Sequence, residues 1–212
     1  MSYKIIVSRY NENIEWLEKE YENCIIYNKG IPLNINNEII LNNVGKESET
    51  YLNYIIKNYN NLPDVIVFTQ ARISDHRGSD DINYLINLKN EALINDKSNV
   101  TTIHSQYQGN EWWWEPEWNL RDGEYYLKNN YKNNNYITFI DWFKKNINSE
   151  YPNPIHIYAN GIFAIKKELI IMNSKNYYKK LRLQINHHID PAEGHFFERS
   201  WYYIFNSHIK KN

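Results

Sequence analysis

The run Val65-Ile66-Val67-Phe68 constrains the fold of this chain more than any other stretch, because β-branched and aromatic side chains follow one another there without a polar break. Such a run suits a strand buried on both faces, and strands of that kind belong to parallel sheets covered by helices. Pro63 and Asp64 precede it and Thr69 closes it. Tyr3 to Ser8 and Cys24 to Tyr27 read as two further buried strands, separated by a helix predicted from Ile14 to Glu22. Tyr51, Leu52, Ile55, Ile56 and Tyr59 recur at helical spacing, which predicts a helix over 50–59. This alternation predicts an α/β domain with a mostly parallel central sheet flanked by helices.

Residues 31–43 read as a loop with weak extended character, and helices are predicted over 80–93, 136–147, 177–185 and 196–209, with a strand or hairpin over 155–165. No internal repeat and no Gly/Ser- or Pro-rich linker divides the chain, so its 212 residues read as one domain. A formal net charge of −1 gives no electrostatic reason to expect nucleic acid as a partner. No apolar stretch approaches the roughly 18 residues of a membrane span, and no apolar signal segment adjoins Met1. The expectation is a soluble, cytoplasmic protein. A single cysteine, Cys24, lies in an apolar run and is expected as a core thiol in a reducing compartment.

Parallel strands bring their carboxyl ends to one edge of a sheet, and in open α/β sheets that edge binds ligands. Two strand ends, Ser8-Arg9-Tyr10-Asn11-Glu12 and Tyr27-Asn28-Lys29-Gly30, would then lie side by side. Tyr10 or Tyr27 could stack on a nucleotide base there, with Asn11 or Glu12 binding its polar groups. The plainer alternative is that Asn11-Glu12-Asn13 only starts a helix. Gly45-Lys46 before Ser48 has a superficial likeness to a phosphate loop without its full pattern. A capped helix is the simpler reading, although the amides of a helix start can hold an anion.

After the third strand come Gln70, Arg72, Asp75 and His76. One Asp and one His at a strand end suit a divalent metal, and Arg72 suits phosphate, but two ligands do not make a metal site and a structural loop is the alternative. Trp112 and Trp114 belong to a group of four tryptophans interleaved with acids. Such rings either pack in a core or stack on the C–H faces of a sugar. Near the C-terminus, Glu193 and Glu198 are candidate general bases and Arg199 a phosphate partner, with His195 one helical turn before Arg199.

Six ordered blocks carry a resemblance that spacing alone does not. They are Ser8-Arg9-Tyr10-Asn11-Glu12-Asn13, Tyr27-Asn28-Lys29-Gly30, Asn43 to Leu52, Leu62 to Gln70, Gly161-Ile162-Phe163-Ala164-Ile165 and Glu198-Arg199-Ser200-Trp201. In these the chain resembles the domain of unknown function 3431 family, met in bacteria, fungi and large DNA viruses, which allows a viral source and a place in the host cytoplasm or virion. That family is in turn similar to nucleotide-sugar-dependent glycosyltransferases with a single Rossmann-like, GT-A-like domain. The resemblance implies a nucleotide-binding half over 1–94 and an acceptor and catalytic half over 95–212.

It further implies transfer of a sugar from a nucleoside-diphosphate sugar to a glycan or other hydroxyl acceptor. The donor would contact Ser8, Arg9, Tyr10, Asn11, Glu12, Tyr27, Asn28, Lys29, Gln70, Arg72, Asn160, Gly161 and Arg199. Glu193, after Pro191, is the counterpart of the catalytic base, with Glu198 its rival. These enzymes usually carry Asp-x-Asp where this chain has Thr69-Gln70-Ala71-Arg72. Either Asp75 with His76, or His195, would then hold a manganese or magnesium ion, or Arg72 and Arg199 would neutralise the diphosphate without metal. The competing expectation is a non-catalytic glycan-binding module that uses the tryptophan-rich loop.

Overall fold

A computed structural model of the chain describes residues 1–94, 100–103, 139–152 and 154–206. In chain order the strands are β1 (Tyr3–Arg9), β2 (Cys24–Asn28), β3 (Glu38–Ile40), β4 (Val65–Gln70), β5 (Val100–Ile103), β6 (Ile155–Tyr158) and β7 (Phe163–Lys166). The α-helices are α1 (Lys46–Asn58), α2 (Ser74–Arg77), α3 (Ile82–Ile94), α4 (Phe139–Asn146), α5 (Lys167–Ile171), α6 (Lys175–Arg182) and α7 (Ala192–Asn206). Five strands form the central sheet in the order β3-β2-β1-β4-β7. The pairings β1–β2, β1–β4 and β2–β3 are parallel, and only β7 runs antiparallel, against β4.

The period of two along each strand divides its apolar side chains between two cores. Ile6, Phe68 and Phe163 face one side, where they pack with Tyr51, Leu52 and Trp201 from α1 and α7. Ile5, Val7, Val65 and Val67 face the other, with Leu85 and Leu88 of α3. Both faces of the sheet are thus covered, as the unbroken apolar runs require. Tyr51 joins the sheet to two helices through its ring contacts with Phe68 at 4.8 Å and Trp201 at 5.8 Å. Cys24 is buried in the second core, and burial pushes its thiol up to about 12. No helix among the described residues is long and apolar enough to cross a membrane.

Several expected elements differ in kind or extent. Residues Glu15–Asn23 form a 3-10 segment rather than an α-helix. Its tighter turn begins with the Leu17 amide donating to the Ile14 carbonyl, and Trp16 Nε1 fixes it by donating to the Ala71 carbonyl at 2.9 Å. The stretch 155–165 is not a hairpin. β6 pairs with β5 in a separate two-stranded sheet, and β7 pairs with β4. Between them Asn160 and Gly161, with φ of 61° and 65°, turn the chain from one sheet to the other.

Helix α7 begins at Ala192, four residues before the expected start, so that Glu193 and His195 lie within it. Helix α6 is Lys175–Arg182 rather than 177–185, because the Ser174 side chain accepts from the Tyr177 amide and sets the start earlier. Expected residues 136–138 and 207–209 lie outside the described residues, as do Trp112 and Trp114.

The β1 and β2 exits touch at Gly30. The Lys29 amide donates to the Arg9 carbonyl at 2.8 Å, and a Cβ on Gly30 would collide with the Tyr10 carbonyl oxygen and Asn11 Oδ1. Gly30→Ala is therefore expected to destabilise the fold by about 1–3 kcal/mol, the usual cost of overpacking. A urea unfolding curve checks this, and an unshifted midpoint would show that the two exits do not need this close approach.

Candidate functional site

The strand order determines where a crevice opens. From β1 the chain proceeds outward to β2 and β3, then returns to place β4 on the other side of β1. The reversal falls between β1 and β4, and the edge beyond the carboxyl ends of such strands is the position at which open α/β sheets bind ligands. Ser8 stands at the β1 end with its hydroxyl 2.9 Å from that of Thr50 in α1. Gln70 ends β4 and donates through Nε2 to the Asn160 carbonyl at 3.3 Å. The left-handed Asn160-Gly161 turn is therefore tied to this edge. Gly161 is held from below by Tyr51, whose hydroxyl donates to its carbonyl at 3.0 Å.

Two strand-end segments expected at one edge do lie side by side, with Ser8 opposite Tyr27 and Arg9 opposite Asn28. Most of their polar groups bind protein. Arg9 is buried and donates to the carbonyls of Tyr10, Glu12 and Ile31 and to Asn28 Oδ1. Asn28 passes its own amide protons to Ile31 and Glu38. Asn11 Oδ1 accepts from the Ile31 amide, and Glu12 accepts from the Tyr10 amide. Tyr27 is 1% exposed and offers no ring face to a ligand, whereas Tyr10 is 51% exposed. The burial of Tyr27 corrects its expected stacking role.

Lys29 is likewise internal. Its Nζ donates to the carbonyls of Val44 and Lys46 and lies 3.6 Å from Glu49 Oε2. Burial lowers its pKa against the pull of that carboxylate. These bonds anchor the start of α1, whose N-cap is Gly45 in the left-handed conformation at φ 64°, with no side-chain cap. The expected helix is thus present, and what it lacks is a capping side chain. A Cβ on Gly45 would come within 2.5 Å of the Glu49 Cβ and 2.6 Å of the Ile185 carbonyl oxygen, so close packing replaces a capping side chain.

The α1 start brings Glu47 to the crevice, a residue that the sequence reading did not select. A Cβ on Gly161 would lie 3.8 Å from Glu47 Oε1 and 4.0 Å from Glu198 Cγ, so the glycine separates two glutamates that converge from α1 and α7. Glu198 is ion-paired with Arg199 at 3.1 Å, and Arg199 also donates to the His195 carbonyl at 2.9 Å. Burial, and secondarily the charge of Glu198, raise the Glu47 carboxyl above its ordinary value. In sequence Glu47 is merely a favourable acid in a helix's first turn, and its partner lies far along the chain. Glu193 differs in being only 3% exposed.

Elsewhere the expected metal and phosphate groups separate. Arg72 is exposed and ion-paired with Asp75 at 2.8 Å, with His76 beside them on α2. His195 lies in α7 near Lys46, which pairs with Asp190 at 2.7 Å. Among the described residues no three His, Cys, Asp or Glu side chains converge to hold a metal ion.

The structure is a mixed α/β fold with a five-stranded, mostly parallel central sheet flanked by helices, in which Glu47 and Glu198 approach Gly161 from two helices. The chain belongs to the family described as "Protein of unknown function (DUF3431)", which matches residues 5–211. No curated protein matches the chain, and no solved structure does.

Burial, followed by the charges of Lys46 and Arg199, lowers the His195 pKa from 6.5 to about 4. Between these values the unfolded chain binds a proton that the folded protein does not, so this contribution to stability is complete above pH 6.5 and is lost as pH falls toward 4. Urea midpoints measured across that window should fall less steeply for His195→Asn than for the unaltered protein. Equal slopes would remove His195 from the acid response.

Proposed function

We propose that the protein transfers a sugar from a nucleoside-diphosphate sugar to a hydroxyl acceptor, with Glu198 as the carboxylate that removes the acceptor proton. The observation that carries this reading is the convergence of Glu47 and Glu198 on Gly161 at the edge where the sheet reverses. A general base must reach the proton that it takes. The Glu198 side chain is 28% exposed, whereas Glu193 is nearly closed to solvent. This comparison favours the rival of the two carboxylates first expected.

In the reaction the acceptor oxygen forms its bond to the anomeric carbon as the bond from that carbon to the diphosphate oxygen breaks. The hydroxyl proton passes to Glu198, and the nucleoside diphosphate leaves with the bonding electrons. Glu47, whose environment favours the neutral form, serves as the proton-bearing member of the pair, because two adjacent carboxylates disfavour a second charge. The amino end of α1, which lacks a side-chain cap, offers amides and a positive dipole end to the diphosphate. Tyr10 provides an exposed ring for the base, and Gln70 and Asn160, hydrogen-bonded to each other at the end of β4, are the further polar contacts for the donor.

Purified protein supplied with a panel of nucleoside-diphosphate sugars and hydroxyl acceptors, with and without manganese, should form product with one donor class. Glu198→Gln should then lower kcat about 10²–10⁴-fold, the usual contribution of a positioned base, with a much smaller change in donor binding. Turnover unaltered in Glu198→Gln would remove it as the base. Glycan binding without donor-dependent product would replace transfer with the binding-module reading.

A further inference from the structure

A second polar recess opens on the other side of α1. Residues two apart on an α-helix are about 200° apart around its axis, so Glu49 points away from the face that carries Glu47. There a cavity of about 330 Å³ is lined by Ile40 and Leu41 at the end of β3, Asn42, Glu49, and Arg182 and Asn186 from the end of α6 and beyond. Its volume is within the range of small-molecule pockets.

The hydrogen-bond donors around this cavity suit an anion. Glu49 is 1% exposed, with one oxygen accepting from Arg182 Nε and NH2 at 2.8 and 2.6 Å and the other facing Lys29 at 3.6 Å. Arg182 is the cation among the lining residues, and its guanidinium is shared between this carboxylate and the cavity. Both donor contacts of Arg182 use one edge of the guanidinium, and NH1 has no partner among the described residues. The side-chain amides of Asn42 and Asn186 likewise have none among the described residues. A guanidinium edge with two amide groups suits a planar or tetrahedral oxyanion, and Ile40, 56% exposed, supplies an apolar wall for an attached organic body.

We propose that this cavity binds the oxyanion group, phosphate or carboxylate, of a small organic anion, at a site separate from the Glu47–Glu198 crevice. Calorimetric titration of the full chain with inorganic phosphate, acetate and ribose 5-phosphate, at matched ionic strength, tests it. At least one of these should bind, and Asn186→Asp, which adds a repelling carboxylate at the rim without touching the Lys29–Glu49–Arg182 contacts, should weaken it about tenfold or more. Arg182→Lys, which keeps the charge but loses the guanidinium geometry, should weaken it too. Tighter binding of ribose 5-phosphate than of phosphate would support recognition of the organic body as well. Binding should be unaffected by Glu198→Gln, which separates this site from the transfer reading. No binding by any of the three probes, or affinity unchanged in both Asn186→Asp and Arg182→Lys, would overturn the proposal.

Discussion

The Glu49 carboxylate, closed off from solvent and held between Lys29 and Arg182, connects the parts of the molecule on which the rest depends. Lys29 leaves the end of β2, Glu49 belongs to the first turns of α1, and Arg182 ends α6. The same ammonium takes the carbonyls of Val44 and Lys46, so one side chain fixes the approach to the helix as well as the helix itself. Burying the Lys29 and Glu49 charges carries a large desolvation cost, and such groups are weak evidence of net stability. Their effect here is geometric: α1 enters at a set place and angle, Glu47 faces α7, and Glu49 faces the opposite recess.

The sheet was legible where sequence patterns are strongest. Unbroken apolar runs at Ile5–Val7, Cys24–Tyr27 and Val65–Phe68 identify strands with two covered faces, and the alternation with helices implies parallel pairing. The short Glu38–Ile40 strand and the split of 155–165 into two sheets were not legible as such. A three-residue edge strand has little pattern of its own, and nothing in an apolar run states which neighbour it will join. The left-handed conformation of Asn160 decides the second case, since it redirects the chain within one turn.

The site was read less completely, for a different reason. Sequence shows which residue types arrive at a strand end but not which of their atoms are already bonded. Arg9, Asn28 and Lys29 have the chemistry of ligand binding, and their donors close loops instead. Glu47 carries no local signal, because its significance comes from Glu198, which reaches it only through the packing of α1 and α7 against the sheet. A fold of this class hosts many activities, and function rests on the site grafted onto it. Two carboxylates in unlike surroundings, one ion-paired with Arg199 and one crowded beside it, are a recurrent basis for acid–base chemistry.

The most direct test of the account is a carboxyl-carbon NMR titration of Glu47, performed on the unaltered protein and on Glu198→Gln. Glu47 should titrate above its ordinary range in the first and move downward in the second, because removing the neighbouring negative charge makes ionisation easier. A Glu47 that titrates in the ordinary range, or that does not respond to the loss of the Glu198 charge, would contradict the pairing across Gly161 and with it the assignment of this crevice as the reactive centre.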